Sequence, residues 1–513
     1  MAIHLFAAIE VGTFALELGI FEISSKFGVK EIEHVRHEIA LGKDTFTNEK
    51  ISYSMVEELC LVLSDFARIK DSYHVEAYCA YATSAIREAK NRRIVLDQIR
   101  VRTGLEIHVI SNSEQRFLLY KAIAIKGEMF DQLIQEGTAV ASLGFGSTQV
   151  SLFDQDALVS TQNLQLGAMR IHEVQSMIQE SEQVHQNILE EVVDNELHTF
   201  KKMYLKEREV KNLILVGDSL LFWAKYLHGK EKNGLIDAEE FLKLCTHITE
   251  MSNNTIEDSF DLTTEYAAMV KPCVMTAKRI LESTGAKCVW VPGVFLIDGI
   301  VADYAEITKK IKYKHDFQED ILSASRNMAK RYRCHTSHTQ MIEKHVLDIF
   351  DAMKKYHGLE ERHRLLLQIA AILHACGKFI SMKAPSECAY DIIMFTEIIG
   401  LSHREREIIA NVVRYNLETF HYSDVKTPES SLMDEDVIVI AKMTAILRLA
   451  NSMDRSHKQK CANAKMMARE GKLVITSPYQ KDMSLEIYTF DQKADFFEEI
   501  FGIRPVLKQK RRG

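Results

Sequence analysis

The rhythm of apolar and polar positions changes once along the 513-residue chain. Before residue 305, short apolar runs alternate with helical patterns, which predicts an α/β organisation. The run from Ile3 to Glu10 enters Gly12-Thr13, and Leu16, Leu18 and Ile20 then alternate with Glu17 and Gly19, giving a hairpin. The same order of events recurs at residues 140–150, VASLGFGSTQV, where an apolar run meets a Gly-x-Gly-Ser-Thr turn before Val150 and Leu152 resume a strand. Two such turns, 132 residues apart at Gly12 and Gly144, predict a duplicated α/β unit. A helix is expected at 52–69, strands at 75–82 and 106–111, a helix at 113–125, and strands at 213–217 and 289–293. Residues 306–318, EITKKIKYKHDFQ, are polar and lysine-rich and mark a domain junction. Beyond it the apolar period becomes 3.6 over 338–357, 361–376, 388–399, 402–415 and 434–454, a helical region. The close reads as strands at 472–477 and 483–488 and a helix at 491–501. The expected domains are therefore 1–125, 126–305, 316–430 and 431–513.

Composition adds exclusions. An apolar share of 46% and a charged share of 27% are those of a globular protein, with no run of ~20 apolar residues to span a membrane. The opening MAIHLFAAIEVG lacks a charged n-region and a long apolar h-region, so a cytoplasmic location is expected. Nine cysteines without a CxxC pair fit reduced thiols better than disulfides or zinc. A net charge of −8 argues against DNA as a partner, and the tail Lys508-Gln509-Lys510-Arg511-Arg512 reads as a solvated end.

The two turns carry the candidate chemistry. Glycines let backbone N–H groups approach an anion, which makes Gly12, Thr13, Gly144, Gly146, Ser147 and Thr148 candidate phosphate contacts. Thr83-Ser84 ahead of Ala85-Ile86-Arg87 reads as an N-cap with an arginine in the first turns, a second anion site. Phe145 stands between the glycines of the second turn, and Ser142 and Gln149 rather than carboxylates flank it.

In order and spacing, Ala8-Ile9-Glu10-Val11-Gly12, ATSAIREAKN at 82–91, Ile110-Ser111 with Glu114, Gly144-x-Gly146-Ser147-Thr148, Leu166-Gly167-Ala168-x-Arg170 and Leu373-His374-x-x-Gly377 make one pattern. Across nearly the whole chain it resembles the exopolyphosphatase/guanosine pentaphosphate phosphohydrolase (Ppx/GppA) family. The resemblance implies an α/β plus all-α fold. Two actin-like, ribonuclease-H-like domains are followed by an HD-type helical domain and a small α/β C-terminal domain. It also implies Mg²⁺-assisted hydrolysis of a terminal phosphoanhydride, on polyphosphate or on guanosine pentaphosphate, with polyphosphate or guanosine penta/tetraphosphate as partner and a possible homodimer.

Mapped onto this chain, the family pattern is eroded at its acids. The first turn, Asp-x-Gly-Ser-Asn-Ser in the family, reads Glu10-Val11-Gly12-Thr13-Phe14-Ala15. The catalytic glutamate falls on Gln115, with Glu114 beside it, and loss of a general base costs ~10²–10⁴ in rate. The second turn's aspartate and glutamate fall on Ser142 and Gln149, leaving Glu10 as the metal-side acid. Arg87 and Arg170 stand as anion contacts, while the family's later arginine falls on Ile297. In the helical half Ala375 follows His374, and His335, His338 and His374 are the histidines that could cluster. The expectation is a degenerate hydrolase with weak catalysis; the alternative is a non-catalytic phosphate- or nucleotide-binding or regulatory protein on the same scaffold.

Overall fold

The apolar runs of the first half pair into two mixed sheets. The first has the order β3-β2-β1-β4-β5, from β1 (His4–Val11), β2 (Ala15–Ser24), β3 (Gly28–Glu38), β4 (Ala77–Ala82) and β5 (His108–Val109). The second has the order β10-β11-β9-β6-β7-β8, from β6 (Thr138–Leu143), β7 (Thr148–Asp154), β8 (Ala157–Leu164), β9 (Asn212–Val216), β10 (Ile236–Asp237) and β11 (Cys288–Trp290). In each sheet three antiparallel strands lead and the first of them pairs in parallel with a later strand, β1 with β4 and β6 with β9. This repeated order is the ribonuclease-H-like arrangement of actin-like proteins, and it places the two glycine turns at equivalent corners, between β1 and β2 and between β6 and β7. The computed structural model describes residues 4–176, 182–206, 208–227, 235–427, 430–469 and 471–510, so Arg511 and Arg512 of the basic tail lie outside the described residues.

The chain divides into two compact units, Met1–Asp320 and Ile321–Gly513. In the first, β1 buries both faces, as a strand between two layers must. Ala7, Ile9 and Val11 pack with Leu59, Leu63 and Phe66 of the Tyr53–Ser72 helix. Phe6 and Ala8 pack with Leu118 and Leu119 of the Asn112–Ala124 helix and with Ile297 and Ile300 of the Leu296–Ile307 helix. Those two helices cross at Gly299, where a Cβ would stand 2.2 Å from the carbonyl oxygen of Leu118, so only glycine allows the approach. Lys121 fastens the crossing with bonds to Asp303 (2.5 Å) and Glu306 (2.6 Å).

In the second unit the helices Thr336–Ala352, Glu361–Leu373, Pro385–Phe395, His403–Tyr415 and Asp434–Ser452 each bury an apolar stripe, as their period predicts. A three-stranded sheet, β12 (Lys465–Arg469), β13 (Lys472–Ser477) and β14 (Arg504–Gln509), carries the Ser484–Phe501 helix. The strand expected at 483–488 is therefore the start of that helix. Met483, Phe490, Ala494 and Phe497 are buried at helical spacing, and Glu486 is held by Lys460. The apparent alternation came from Leu485, which is exposed. Among the described residues no helix is long and apolar enough to cross a membrane, and the nine cysteines are free thiols.

Candidate active site between two turns

Each turn is closed by its own backbone. The Gly12 N–H donates to the Ala15 carbonyl at 2.9 Å, and the Gly144 N–H donates to Ser147 at 3.0 Å. A Cβ on Gly12 would lie 2.6 Å from the Ala15 oxygen and 3.4 Å from Oε1 of Glu10, which places that buried carboxylate beside the first turn.

The predicted donors meet protein rather than open space. The hydroxyls of Thr13 and Ser84, both buried, lie 2.6 Å apart in a hydrogen bond. Thr148 Oγ1 donates to the Leu166 carbonyl at 2.6 Å. The Ala168 and Met169 N–H groups, at the start of the Ala168–Ser176 helix, donate to the carbonyls of Gly144 and Phe145 at 3.3 and 3.0 Å. Those are the groups a helix N-terminus would offer an anion. A Cβ on Gly167 would stand 2.2 Å from the Gly146 carbonyl carbon, so this segment lies directly on the turn. Arg170 donates from Nε to the Gly146 carbonyl at 2.8 Å, pairs with Glu88 and stacks over Phe46 at 4.2 Å. Arg87 donates to the Ile110 carbonyl at 2.8 Å and to Asn112. Its helix, Ser84–Glu88, is only five residues long and Thr83 gives it no side-chain cap; the Thr83 hydroxyl instead reaches the Val11 carbonyl.

Aromatic rings occupy the space between the turns. Phe14 of the first turn stacks on Phe145 of the second, with centroids 4.6 Å apart and planes 30° from parallel, and each is 1% exposed. Tyr266 meets both edge-on at 5.5 Å. Phe14 belongs to the apolar core of the second sheet, so a residue of the first turn is anchored across the cleft.

The Asn112–Ala124 helix begins with a capping box: Ser111 Oγ accepts from the Glu114 N–H at 3.2 Å and Glu114 Oε2 accepts from the Ser111 N–H at 2.8 Å. The carboxylate of Glu114 thus holds a helix end. Gln115 and Ser147 are half-buried and, among the described residues, make no side-chain hydrogen bond. One position on, Arg116 is buried; its Nε donates to Gln149 Oε1 at 3.0 Å and its Nη1 donates to Thr161. On β2, opposite Glu10, Glu17 lies 3.6 Å from both His34 and Arg36. Burial alone would lower the His34 pKa, but the nearby carboxylate of Glu17, with Glu31 and Asp298 beyond it, outweighs burial and holds the imidazole above its ordinary value. Burial pushes the Asp298 carboxyl up. Among the described residues no three His, Cys, Asp or Glu side chains are arranged to hold a metal ion.

In the helical unit, the histidine rings do gather. His338 is 5.2 Å from His374 and stacks on His457 at 3.9 Å, and His335 lies 5.2 Å from His457. His338 Nδ1 is bonded to Asp454 at 2.8 Å. Burial, aided by the neighbouring His338, depresses the His374 pKa to about 3. Sequence reasoning named His335, His338 and His374 but missed His457 and Asp454; it also missed Arg116 and the partnership of Phe14 with Phe145.

The two repeated sheets and their corner turns define an actin-like, ribonuclease-H-like protein. More narrowly, the chain matches the Ppx/GppA phosphatase family over residues 20–306 and domain III of that family over 322–493, and it belongs to that family. It is 21% identical over 482 residues to the guanosine-5'-triphosphate,3'-diphosphate pyrophosphatase of Photobacterium profundum, covering 92% of each chain. It is 24% identical over 268 residues to the bifunctional 3-dehydroquinate synthase/phosphatase of Fusobacterium nucleatum, covering 50% of this chain and 38% of that one. Among solved structures, the exopolyphosphatase of Cytophaga hutchinsonii aligns with a TM-score of 0.51 at 17% identity, over 60% of this chain and 98% of that chain. The Aquifex aeolicus Ppx/GppA family member aligns with a TM-score of 0.50 at 20% identity, over 61% of this chain and all of that one. At these identities the structural likeness shows the fold.

Proposed function

We propose that this chain keeps the ligand class of its family, polyphosphate or guanosine penta/tetraphosphate, but hydrolyses it weakly or not at all and acts as a phosphate-binding regulator. The observation that carries this reading is the stack of Phe14 on Phe145 between the two turns, with the Thr13 and Ser84 hydroxyls satisfied by each other. A ligand entering there must part the rings and exchange existing bonds for new ones. The chemistry of the surrounding groups points the same way. Gln115, at the base position, can orient a water but cannot accept its proton. Mg²⁺, which the family implies, is a hard cation that asks for carboxylate oxygens beside the phosphates, and the second turn is flanked by Ser142 and Gln149. That donor set does not fit the ion. The second unit is read as an HD-type domain whose gathered histidines serve packing rather than hydrolysis.

A second reading, residual hydrolysis, draws on Ser147 of the second turn and Gln115 of the Asn112–Ala124 helix, half-buried polar side chains that make no side-chain hydrogen bond among the described residues. Phosphate release from long-chain polyphosphate and from guanosine pentaphosphate decides between them. At most slow release is expected from the unmodified chain, with heat of binding in calorimetry. Robust turnover abolished by Glu10→Gln would sink the regulator. An absence of heat with either ligand, unaltered by Arg87→Ala, would remove the phosphate site altogether.

A further inference from the structure

Two stretches of the second unit, residues 321–342 and 362–386, contain no aspartate or glutamate, in a chain whose net charge is −8. The fold brings them together. The ring of Phe379, at the end of the turn Cys376–Phe379, meets Tyr332 edge-on at 5.8 Å, so the turn that carries Lys378 lies against the segment that carries Lys330 and Arg333. Lys383 follows four residues after Phe379. All four cations are exposed, and among the described residues none of them forms an ion pair. The first acid beyond, Glu387 in the Pro385–Phe395 helix, is not paired with Lys383 either.

Between Lys378 and Lys383 the chain turns apolar side chains outward: Phe379, Ile380 and Met382 are 51%, 61% and 79% exposed. The backbone that presents them is tied down. The N–H groups of Ile380 and Ser381 both donate to the Gly377 carbonyl at 3.0 Å, and Ser381 Oγ accepts from the N–H groups of Lys383 and Ala384 at 3.1 Å. A Cβ on Gly377 would stand 1.9 Å from the Pro385 carbonyl oxygen, so the turn is pressed onto the start of the next helix. Single apolar residues on a surface are ordinary, but a cluster on one ordered turn, bordered by unpaired cations, has the composition of a docking surface. Its chemistry selects the partner. An anionic lipid surface offers phosphates to the cations and acyl chains to the apolar tips at once, and lysine stems reach from one layer to the other. Nucleic acid binds through rings on which bases stack, whereas two of the three tips here are aliphatic and the one ring already has Tyr332 at its edge.

We infer that the turn at 378–383 docks this chain onto an anionic lipid bilayer, with Phe379, Ile380 and Met382 entering the boundary between headgroups and acyl chains and Lys330, Arg333, Lys378 and Lys383 lying over the lipid phosphates. Such attachment to one face of a bilayer asks for no spanning helix.

Sedimentation of the full chain with vesicles tests this. Binding is expected to vesicles of phosphatidylcholine and phosphatidylglycerol in equal parts, weakening as salt rises, and none to phosphatidylcholine alone. At roughly 5-fold per basic residue near the surface, Lys378→Gln/Lys383→Gln should lower the affinity for mixed vesicles by ~30-fold. Ile380→Ser/Met382→Ser should lower it by ~10-fold or more. A second measurement reports insertion without either pair of changes. In Phe379→Trp, the added emission should shift to the blue on mixed vesicles and be quenched by brominated lipid, while the unmodified chain, whose Trp223 and Trp290 both lie in the first unit, should show neither effect. Failure to bind mixed vesicles overturns the inference. So does binding that survives Ile380→Ser/Met382→Ser but is lost in Lys378→Gln/Lys383→Gln, which would mark the patch as a site for a soluble polyanion such as nucleic acid. A dimer that Ile380→Ser/Met382→Ser converts to a monomer also overturns it, since a second copy would then cover the patch.

Discussion

Replacing Phe145 by alanine separates two roles that the ring could have, core filler or closing element of the cleft. The ring is 1% exposed and stacked at 4.6 Å on Phe14, so its removal is a core truncation, which typically costs ~3–5 kcal/mol. Parting the stack in the unmodified protein exposes at least one ring, at ~1.5–3 kcal/mol, and forfeits the ring–ring term, ~0.5–1.5 kcal/mol. Opening thus costs ~2–4.5 kcal/mol, which lowers the apparent affinity for a cleft ligand by roughly 30- to 2,000-fold. Phe145→Ala relieves most of that cost. Tripolyphosphate affinity by calorimetry is expected to rise by ~10-fold or more while urea unfolding shows the loss of stability. Both tryptophans, Trp223 and Trp290, lie in the first unit, so their fluorescence follows the unfolding of the part that carries the mutation. A drop in stability with unchanged affinity would refute the reasoning and leave Phe145 as packing.

Further outcomes follow from the buried titrating groups and from the second turn. His345 and His374 are buried neutral, with pKa values pushed down by burial to about 4 and about 3. Unfolded histidines take a proton near pH 6.5, so between 6.5 and 4 the unfolded state binds more protons and the second unit loses up to ~1.4 kcal/mol per pH unit for each ring. Urea unfolding followed by far-ultraviolet circular dichroism should show that decline, and His345→Leu should flatten it. His315 has the opposite sign. Burial would lower its pKa, but bonds to Asp320 (2.7 Å) and Asp156 (2.8 Å) lift it to about 9. Its contribution to the first unit is complete below pH 6.5 and lost as pH rises through 9, which tryptophan fluorescence would follow and His315→Asn abolish. Gly167→Ala drives a methyl to 2.2 Å from the Gly146 carbonyl carbon and should destabilise the first unit by ~1–3 kcal/mol or more, with an unfolding midpoint that records it.

Much of the scaffold was legible because it rests on local signals. Apolar alternation ending at Gly12 and at Gly144 located both hairpins, and the spacing of the motifs implied the family. What escaped was set by contacts distant in sequence. Nothing near Phe14 indicates that its ring is received by Phe145 in the core of the other sheet. Arg116 was hidden for a different reason. Its helix is buried nearly all round, with Ser113, Leu118, Leu119, Lys121 and Ile123 as well as Arg116 inside, so no polar face marks which charged residue points inward. The edge strand β3 was missed because its middle, Lys30 to Glu33, is exposed and charged at all but Ile32, a pattern that protects an edge from pairing and carries little apolar alternation. At Glu114 the sequence offered acid–base chemistry and a capping box at once, and the hydrogen bonds to Ser111 give the second.

The 2.6 Å bond between the Thr13 and Ser84 hydroxyls has a thermodynamic consequence for whatever enters the cleft. When both hydroxyls turn to phosphate oxygens, the one neutral bond they share is given up and each donates to a charged acceptor instead. A ligand is then recognised by the difference between a charge-assisted bond and a neutral one, which favours oxygens carrying full negative charge over neutral esters. The chain would accordingly weigh the ionisation state of a phosphate more than its shape.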